Sequence, residues 1–257
     1  MMVSVVEALI LGIVQGITEW LPLSSSAHLI FFQELFHYNA SLFYDVLLHM
    51  GTLLAVILFY RTELVALFRN LFHGTLEPVQ RRLLWHLFIA TALTGIIGIL
   101  FHDELAAMFT SISLTAITLI INGCLLFICE RWQRSYSLSA FRATAIGIAQ
   151  GISIIPGISR SGATIGTALL LGVEKKEATH FSFLLSIPAI IGAFILEFDS
   201  SLFVGIQFLP AVIGFLTSFI VGYIVLGFLL RMVMQRKFHW FAYYCWIVGI
   251  LVLWSIW

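Results

Sequence analysis

The sequence predicts an all-α integral membrane protein of two inverted-topology repeats, each a re-entrant helical hairpin followed by three transmembrane helices. Three observations predict this arrangement of six spans and two re-entrant hairpins. Of 257 residues, 61% are hydrophobic and 10% charged, with a mean hydropathy of +1.05; a soluble domain averages about 45–50% apolar and about 25% charged residues. Nearly all cations fall in alternate connections between apolar stretches. One octapeptide recurs, with conservative changes, 135 positions further along the chain.

No water-soluble fold of this length has interior enough for so much apolar surface. A soluble enzyme, a secreted disulfide scaffold and a nucleic-acid binder are therefore excluded. Lys+Arg and Asp+Glu both number 13, so net charge says nothing about partners. Cys124, Cys129 and Cys245 make no CxxC or zinc-type spacing and read as small buried hydrophobes. Met1 to Ile10 lacks the Lys or Arg that opens a cleaved signal peptide, and reads as part of the mature fold.

The spans follow from hydropathy. At roughly 20 residues per crossing, full spans are expected at residues 42–60, 83–101, 112–130, 180–198, 205–230 and 240–257. Arg61, Arg69, Arg81 and Arg82 follow the first, and Arg131, Arg134 and Arg142 the third. Lys175 and Lys176 precede the fourth, while Arg231, Arg236 and Lys237 follow the fifth. The other connections carry Glu34, Asp103, Glu104, Glu197 and Asp199 and no cation. That split is the positive-inside pattern, with the basic loops in the cytoplasm.

The thirteenth cation, Arg160, lies inside an apolar tract from Ala143 to Val173 whose two ends are both basic. A tract with both ends on one side enters and leaves by that side. Pro156-Gly157-Ile158-Ser159-Arg160-Ser161-Gly162 breaks its middle, giving two half-helices with the turn near the bilayer midplane, where irregular backbone is tolerated only against protein or a wet cavity. The repeat places a second such hairpin at residues 3–35. Leu11-Gly12-Ile13-Val14-Gln15-Gly16-Ile17-Thr18 matches Ile146-Gly147-Ile148-Ala149-Gln150-Gly151-Ile152-Ser153, and each copy runs on to Pro22 or Pro156 and a Ser-rich turn. The chain is then one transmembrane domain, 1–257, of two halves, 1–130 and 143–257, in opposite orientation with both tips at mid-membrane. The alternative makes residues 3–21 an ordinary span.

At the first tip, Gln15 and Glu19 share a helix face one turn apart. Ser24 suits the N-cap of the second half-helix, whose free N–H groups and dipole favour an anion. Ser25 and His28 are i,i+3 neighbours on that half-helix, with Ser26 between them. At the second tip, Ser159, Ser161, Gly162 and Thr164 surround Arg160, whose planar fork binds two phosphate oxygens at once. Together these groups suit a phosphate or diphosphate, with Glu19, Ser25 and His28 available for acid–base or nucleophilic work. Each has a plainer reading too. Arg160 pairs with Glu19 to pin the hairpins, the serines cap and pack helices, and His28 satisfies a backbone carbonyl. Asp45, His49 and Thr52 form an i, i+4, i+7 stripe that either lines the same cavity or bonds between helices. Glu7 reads as a pore or interface residue, His180 and Ser182 as structural. His37, His73, His86, His102 and His239 read as interfacial.

Gln15-Gly16-Ile17-Thr18-Glu19, Pro22-Leu23-Ser24-Ser25-Ser26-Ala27-His28 and Pro156-Gly157-Ile158-Ser159-Arg160-Ser161-Gly162-Ala163-Thr164 closely resemble the linked motifs of the undecaprenyl pyrophosphate phosphatase family, the bacitracin-resistance proteins. The likeness extends over essentially the whole chain, including Tyr44-Asp45-Val46 and Phe181-Ser182-Phe183-Leu184-Leu185. The resemblance implies hydrolysis of undecaprenyl diphosphate to the monophosphate and inorganic phosphate, at a site facing the outer side of the bacterial inner membrane. It also implies a divalent cation, Mg2+ or Ca2+. Carried over by position, Glu19 is the essential carboxylate, Ser25 the nucleophile, His28 an acid/base and Arg160 the diphosphate clamp, with Gln15 beside Glu19 toward metal. Gln15 in place of an acid leaves one carboxylate fewer for a metal, and Ala27 in place of a common Gly narrows the approach to the half-helix. The expected partner is undecaprenyl diphosphate in the bilayer, with no nucleic acid; a homodimer stays open. A lipid-phosphate transporter is the rival class, because inverted repeats with broken helices are also transporter architecture.

Overall fold

A computed structural model describes residues 3–36, 42–129, 135–196, 207–235 and 237–256. Within them the chain forms α1 (Val5–Trp20), α2 (Ser25–Leu35), α3 (Leu42–Phe59), α4 (Arg61–Phe72), α5 (Pro78–Leu100), α6 (His102–Met108), α7 (Ile112–Cys129), α8 (Ala140–Ile152), α9 (Arg160–Leu170), α10 (Lys175–Leu196), α11 (Phe208–Met234) and α12 (His239–Ile256). Among the described residues the only β pairing is an isolated parallel bridge between Tyr136 and Val173. His37, Arg131, Arg134, Glu197, Asp199 and Arg236 lie outside the described residues.

Among the described residues five helices, α5, α7, α10, α11 and α12, are long and apolar enough to cross a membrane, and α3 with α4 makes a sixth candidate bent by 76° at Tyr60. Two helices lie where only connections were expected. In α4, Val65, Phe68 and Phe72 are exposed along one side, which Arg61 shares and Arg69 borders, while Glu63 lies on the opposite side. The short α6 carries Asp103 and Glu104 in its first turn, where acids favour a helix N-terminus. The outward faces of the long helices are apolar, as in Ile117, Ile121 and Ile128 on α7 and Ile220, Ile224 and Phe228 on α11.

The repeated octapeptide is a packing code. In α1, a Cβ on Gly12 would come within 2.8 Å of the Gly214 carbonyl oxygen, and one on Gly16 within 2.7 Å of Val221. In α8, a Cβ on Gly147 would come within 2.6 Å of Ala90, and one on Gly151 within 2.5 Å of Ile97. Both are Gly-x-x-x-Gly faces, which let helix backbones approach closely inside a membrane. Thus α1, from the N-terminal half, packs on α11, while α8, from the C-terminal half, packs on α5. Further helix pairs are α3 with α10 and α7 with α12.

Two expectations change, for His86 and Cys124, and Glu7 takes a local role besides. Glu7 closes a capping box: its Oε2 accepts from the Ser4 N–H at 2.7 Å, and its own N–H donates to Ser4 Oγ at 3.2 Å. His86 is buried, on the side of α5 turned away from the exposed Trp85 and Phe88. Cys124 is exposed, on the apolar outer side of α7 with Ile117, Ile121 and Ile128.

Candidate active site

Two broken segments meet in the centre of the fold. The first turn runs from the end of α1 through Leu21-Pro22-Leu23 to Ser24, the one non-glycine at positive φ among the described residues (φ 67°). Such a conformation stores strain and persists only where its surroundings enforce it. Ser24 Oγ caps α2, accepting from the Ala27 N–H at 3.4 Å, and lies 3.1 Å from Ser26 Oγ. The second turn does the same in the same order. Ser159 Oγ caps α9, accepting from the Gly162 N–H at 3.2 Å, and lies 3.1 Å from Ser161 Oγ. Gly157 turns that segment at φ +95°, where a side chain would strike Thr118 Oγ1 at 2.0 Å.

Glu19 ties the tips together. Its Oε1 pairs with Arg160 Nη2. Its Oε2 accepts from Ser25 Oγ at 2.7 Å and from Gln15 Nε2 at 3.0 Å, and faces His49 Nε2 at 3.4 Å. Glu19 is only 6% exposed, so every bond to it is formed in a weakly screening interior. The guanidinium of Arg160 lies 5.3 Å from the Trp20 ring centroid, and Trp20 in turn packs edge-on against Phe183 at 5.5 Å. Two buried atoms beside the carboxylate, Arg160 Nη1 and Gln15 Oε1, have no hydrogen-bond partner. A donor and an acceptor left so in the interior are what a polar ligand would satisfy.

Of the predicted residues, Gln15, Ser25 and Arg160 meet on Glu19, while the others pair with their own turns or with neighbouring helices. Ser25 is bonded to Glu19 rather than to His28. His28 uses Nδ1–H toward the Ser24 carbonyl at 2.8 Å, which leaves Nε2 to accept from Tyr244 OH at 2.9 Å, with the two rings stacked at 5.6 Å. Thr164 donates to the Arg160 carbonyl at 2.8 Å and pairs with Ser182 at 2.6 Å, so its hydroxyl braces α9 against α10. Of the polar stripe on α3, His49 reaches Glu19, whereas Asp45 accepts both amide contacts from Gln33 at 2.9 and 3.1 Å. Sequence reasoning missed Asn122, Tyr244 and Trp20. Asn122, an amide within an apolar span, carried a signal; Tyr244 follows Tyr243 in an aromatic-rich helix and carried none.

For a hard cation the donor set is partial. Among the described residues no three His, Cys, Asp or Glu side chains gather as a metal site. Glu19, the unpartnered Gln15 Oε1 and Ser25 Oγ nonetheless supply oxygens. That fits the protein half of a Mg2+-type site, which commonly uses one or two carboxylates plus substrate phosphates.

The profile of the bacitracin resistance protein BacA matches residues 8–251. The chain is 38% identical to the undecaprenyl-diphosphatase of Methanobrevibacter smithii, covering 97% of this chain and 96% of that one. It is 40% identical to the undecaprenyl-diphosphatase of Korarchaeum cryptofilum over 97% and 98% of the two chains. With that of Desulfosudis oleivorans it shares 41% identity over 97% of each. The chain belongs to the bacitracin resistance protein BacA family.

Proposed function

We propose that the chain hydrolyses undecaprenyl diphosphate to undecaprenyl phosphate and inorganic phosphate, recycling the lipid carrier of cell-wall synthesis. One observation carries this reading: Glu19 is bonded at once to Ser25 on its own tip and to Arg160 on the other. A hydroxyl on a carboxylate, beside a guanidinium with an unpartnered Nη1, is a nucleophile, a base and an anion clamp in one place.

In the mechanism, Arg160 and the N-terminal N–H groups of α2 and α9 hold the diphosphate and the charge that gathers on its terminal oxygens. Ser25 Oγ attacks the terminal phosphorus as its proton passes to Glu19. The bond from that phosphorus to the bridging oxygen breaks, and undecaprenyl phosphate leaves. Water then cleaves the phosphoserine, releasing inorganic phosphate and returning the proton to Ser25. His28, oriented by the Ser24 carbonyl and the stacked Tyr244 ring, serves as a base for that water once the Tyr244 hydroxyl turns away from Nε2; direct attack by water on the diphosphate is the variant. Glu19 and Gln15 would hold Mg2+ or Ca2+, which when bound adds Lewis-acid neutralisation of phosphate charge.

The same reading makes α1–α2 and α8–α9 re-entrant hairpins of two inverted repeats. The exchange of partners, α1 on α11 and α8 on α5, supports it. It places the protein in the bacterial inner membrane with the site open to the outer side. Phosphate release by the purified protein in detergent is the test. The wild type is expected to turn over, with Arg160→Ala and Glu19→Ala inactive. A carrier of lipid phosphate would release nothing there, and near-normal turnover by either variant removes the role given to that residue.

A further inference from the structure

Asn122 lies in the middle of α7, 1% exposed among apolar neighbours. Its Nδ2 donates to the Pro22 carbonyl at 2.9 Å, and its Oδ1 accepts from the Ser159 N–H at 3.2 Å. Nδ2 also lies 3.5 Å from Cys245 Sγ on α12. The two close partners belong to different tips, and both are backbone groups. A carbonyl only accepts and an N–H only donates, so the amide has one orientation here. One turn earlier on α7, Thr118 donates to the Pro156 carbonyl, and the Thr115 carbonyl and Leu119 N–H line the space left open by Gly157.

We propose that Asn122 is a positioning residue for phosphoryl transfer, fixing the register between the two tips so that Ser25 and Glu19 stand opposite Arg160. The proposal rests on the phosphatase reading above. Pro22 precedes the α2 cap by two residues, and Ser159 is the residue next to Arg160. A short side chain bonded to backbone at both points therefore sets where the reacting groups begin. The Glu19–Arg160 pair cannot do this by itself, because long side chains reach one another across several backbone registers. That pair also competes with the substrate: a diphosphate that draws Arg160 toward itself loosens the direct link, and the Asn122 bridge remains. Aspartate keeps the acceptor for Ser159 but loses the donor for Pro22, glutamine is a methylene too long, and leucine has the shape without either bond.

The experiment measures kcat, KM and thermal unfolding for wild type, Asn122→Leu and Asn122→Asp, with a polyprenyl diphosphate in detergent micelles. A misregister of about 1 Å can cost about 100-fold in rate. Asn122→Leu should therefore lose at least about tenfold in kcat with KM changed by less than about threefold, the pattern of a lost transition-state alignment. Asn122→Asp should fall between the two. Combined with Arg160→Lys, Asn122→Leu should cost less than the product of the separate losses, because both act on one alignment. Unimpaired kcat in Asn122→Leu, a loss accounted for by a smaller folded fraction, or independent losses in the double variant would each overturn the proposal. An inactive wild type would count instead against the phosphatase reading itself.

Discussion

Ser25 donates its hydroxyl hydrogen to Glu19 at 2.7 Å, and that contact decides what substitutions at the first tip should do. Ser25→Ala removes the attacking oxygen but leaves the Glu19–Arg160 pair in place, so the protein should unfold near the wild-type temperature and release no phosphate. Glu19→Gln keeps the shape yet strips the charge that Arg160 faces. Breaking a buried pair from one side costs roughly 3–5 kcal/mol, so this variant should lose thermal stability as well as about 100-fold or more in turnover. If Ser25→Ala retained turnover, the direct-water variant would replace the phosphoserine route. The second base is tested more gently. Tyr244→Phe keeps the stacked ring against His28 and removes the 2.9 Å hydrogen bond to Nε2. One such bond is worth about 1 kcal/mol, so kcat/KM for phosphate release should fall about fivefold. An unchanged kcat/KM would mean that the Ser24 carbonyl alone orients the ring.

At the scale of elements, the sequence was most legible where it repeats. Gly12 with Gly16 and Gly147 with Gly151 marked two related segments, and the same glycines bring α1 onto α11 and α8 onto α5. Hydropathy located the long helices, though α10 begins at Lys175 and α5 at Pro78, before the apolar tracts that announced them. The helices α4 and α6 were illegible because a short helix rich in charge has no span-like hydropathy. Within the site, residues one turn apart on one helix could be paired by periodicity, as with Gln15 and Glu19. Asn122 could not, since Pro22 lies 100 residues away and Ser159 lies 37. The second turn yields an element-scale prediction. Gly157 stands at φ +95°, and a Cβ there would lie 2.0 Å from Thr118 Oγ1 and 2.4 Å from the Thr115 carbonyl oxygen. Gly157→Ala therefore meets both a disfavoured conformation and a clash, together about 2 kcal/mol or more. Its unfolding temperature should drop by several degrees, and turnover should fall with it because Ser159 and Arg160 follow that turn. Stability equal to wild type would show that the turn re-forms without the α7 contact.

For the whole molecule, the proposed orientation rests on the distribution of charge. Near one end, Glu63 on α4 pairs with His180 on α10 at 2.8 Å, Glu177 accepts from the Leu138 N–H at 3.0 Å, and Arg142 donates to the Leu171 carbonyl at 3.2 Å. The stretches carrying Arg61, Arg142, Lys175 and Lys176 are thus gathered by contacts around α4, α8 and α10. Asp103 and Glu104 sit beyond the far end of α5, whose 23 residues rise about 34 Å at about 1.5 Å each, enough to cross a hydrocarbon core of about 30 Å. On the proposed orientation, with the cations inside, Asp103 would face outward and Glu77, just before α5, would face the cytoplasm; both are exposed. Single cysteines at these two positions test the orientation in a Cys124→Ser background, which removes the exposed native thiol. A membrane-impermeant maleimide applied to intact spheroplasts should label Asp103→Cys and leave Glu77→Cys unmodified until the membrane is opened. The reverse pattern would turn the molecule over and put the diphosphate site on the wrong side for a carrier lipid released outside the cell, whereas labelling of both from outside would mean that α5 does not cross the membrane.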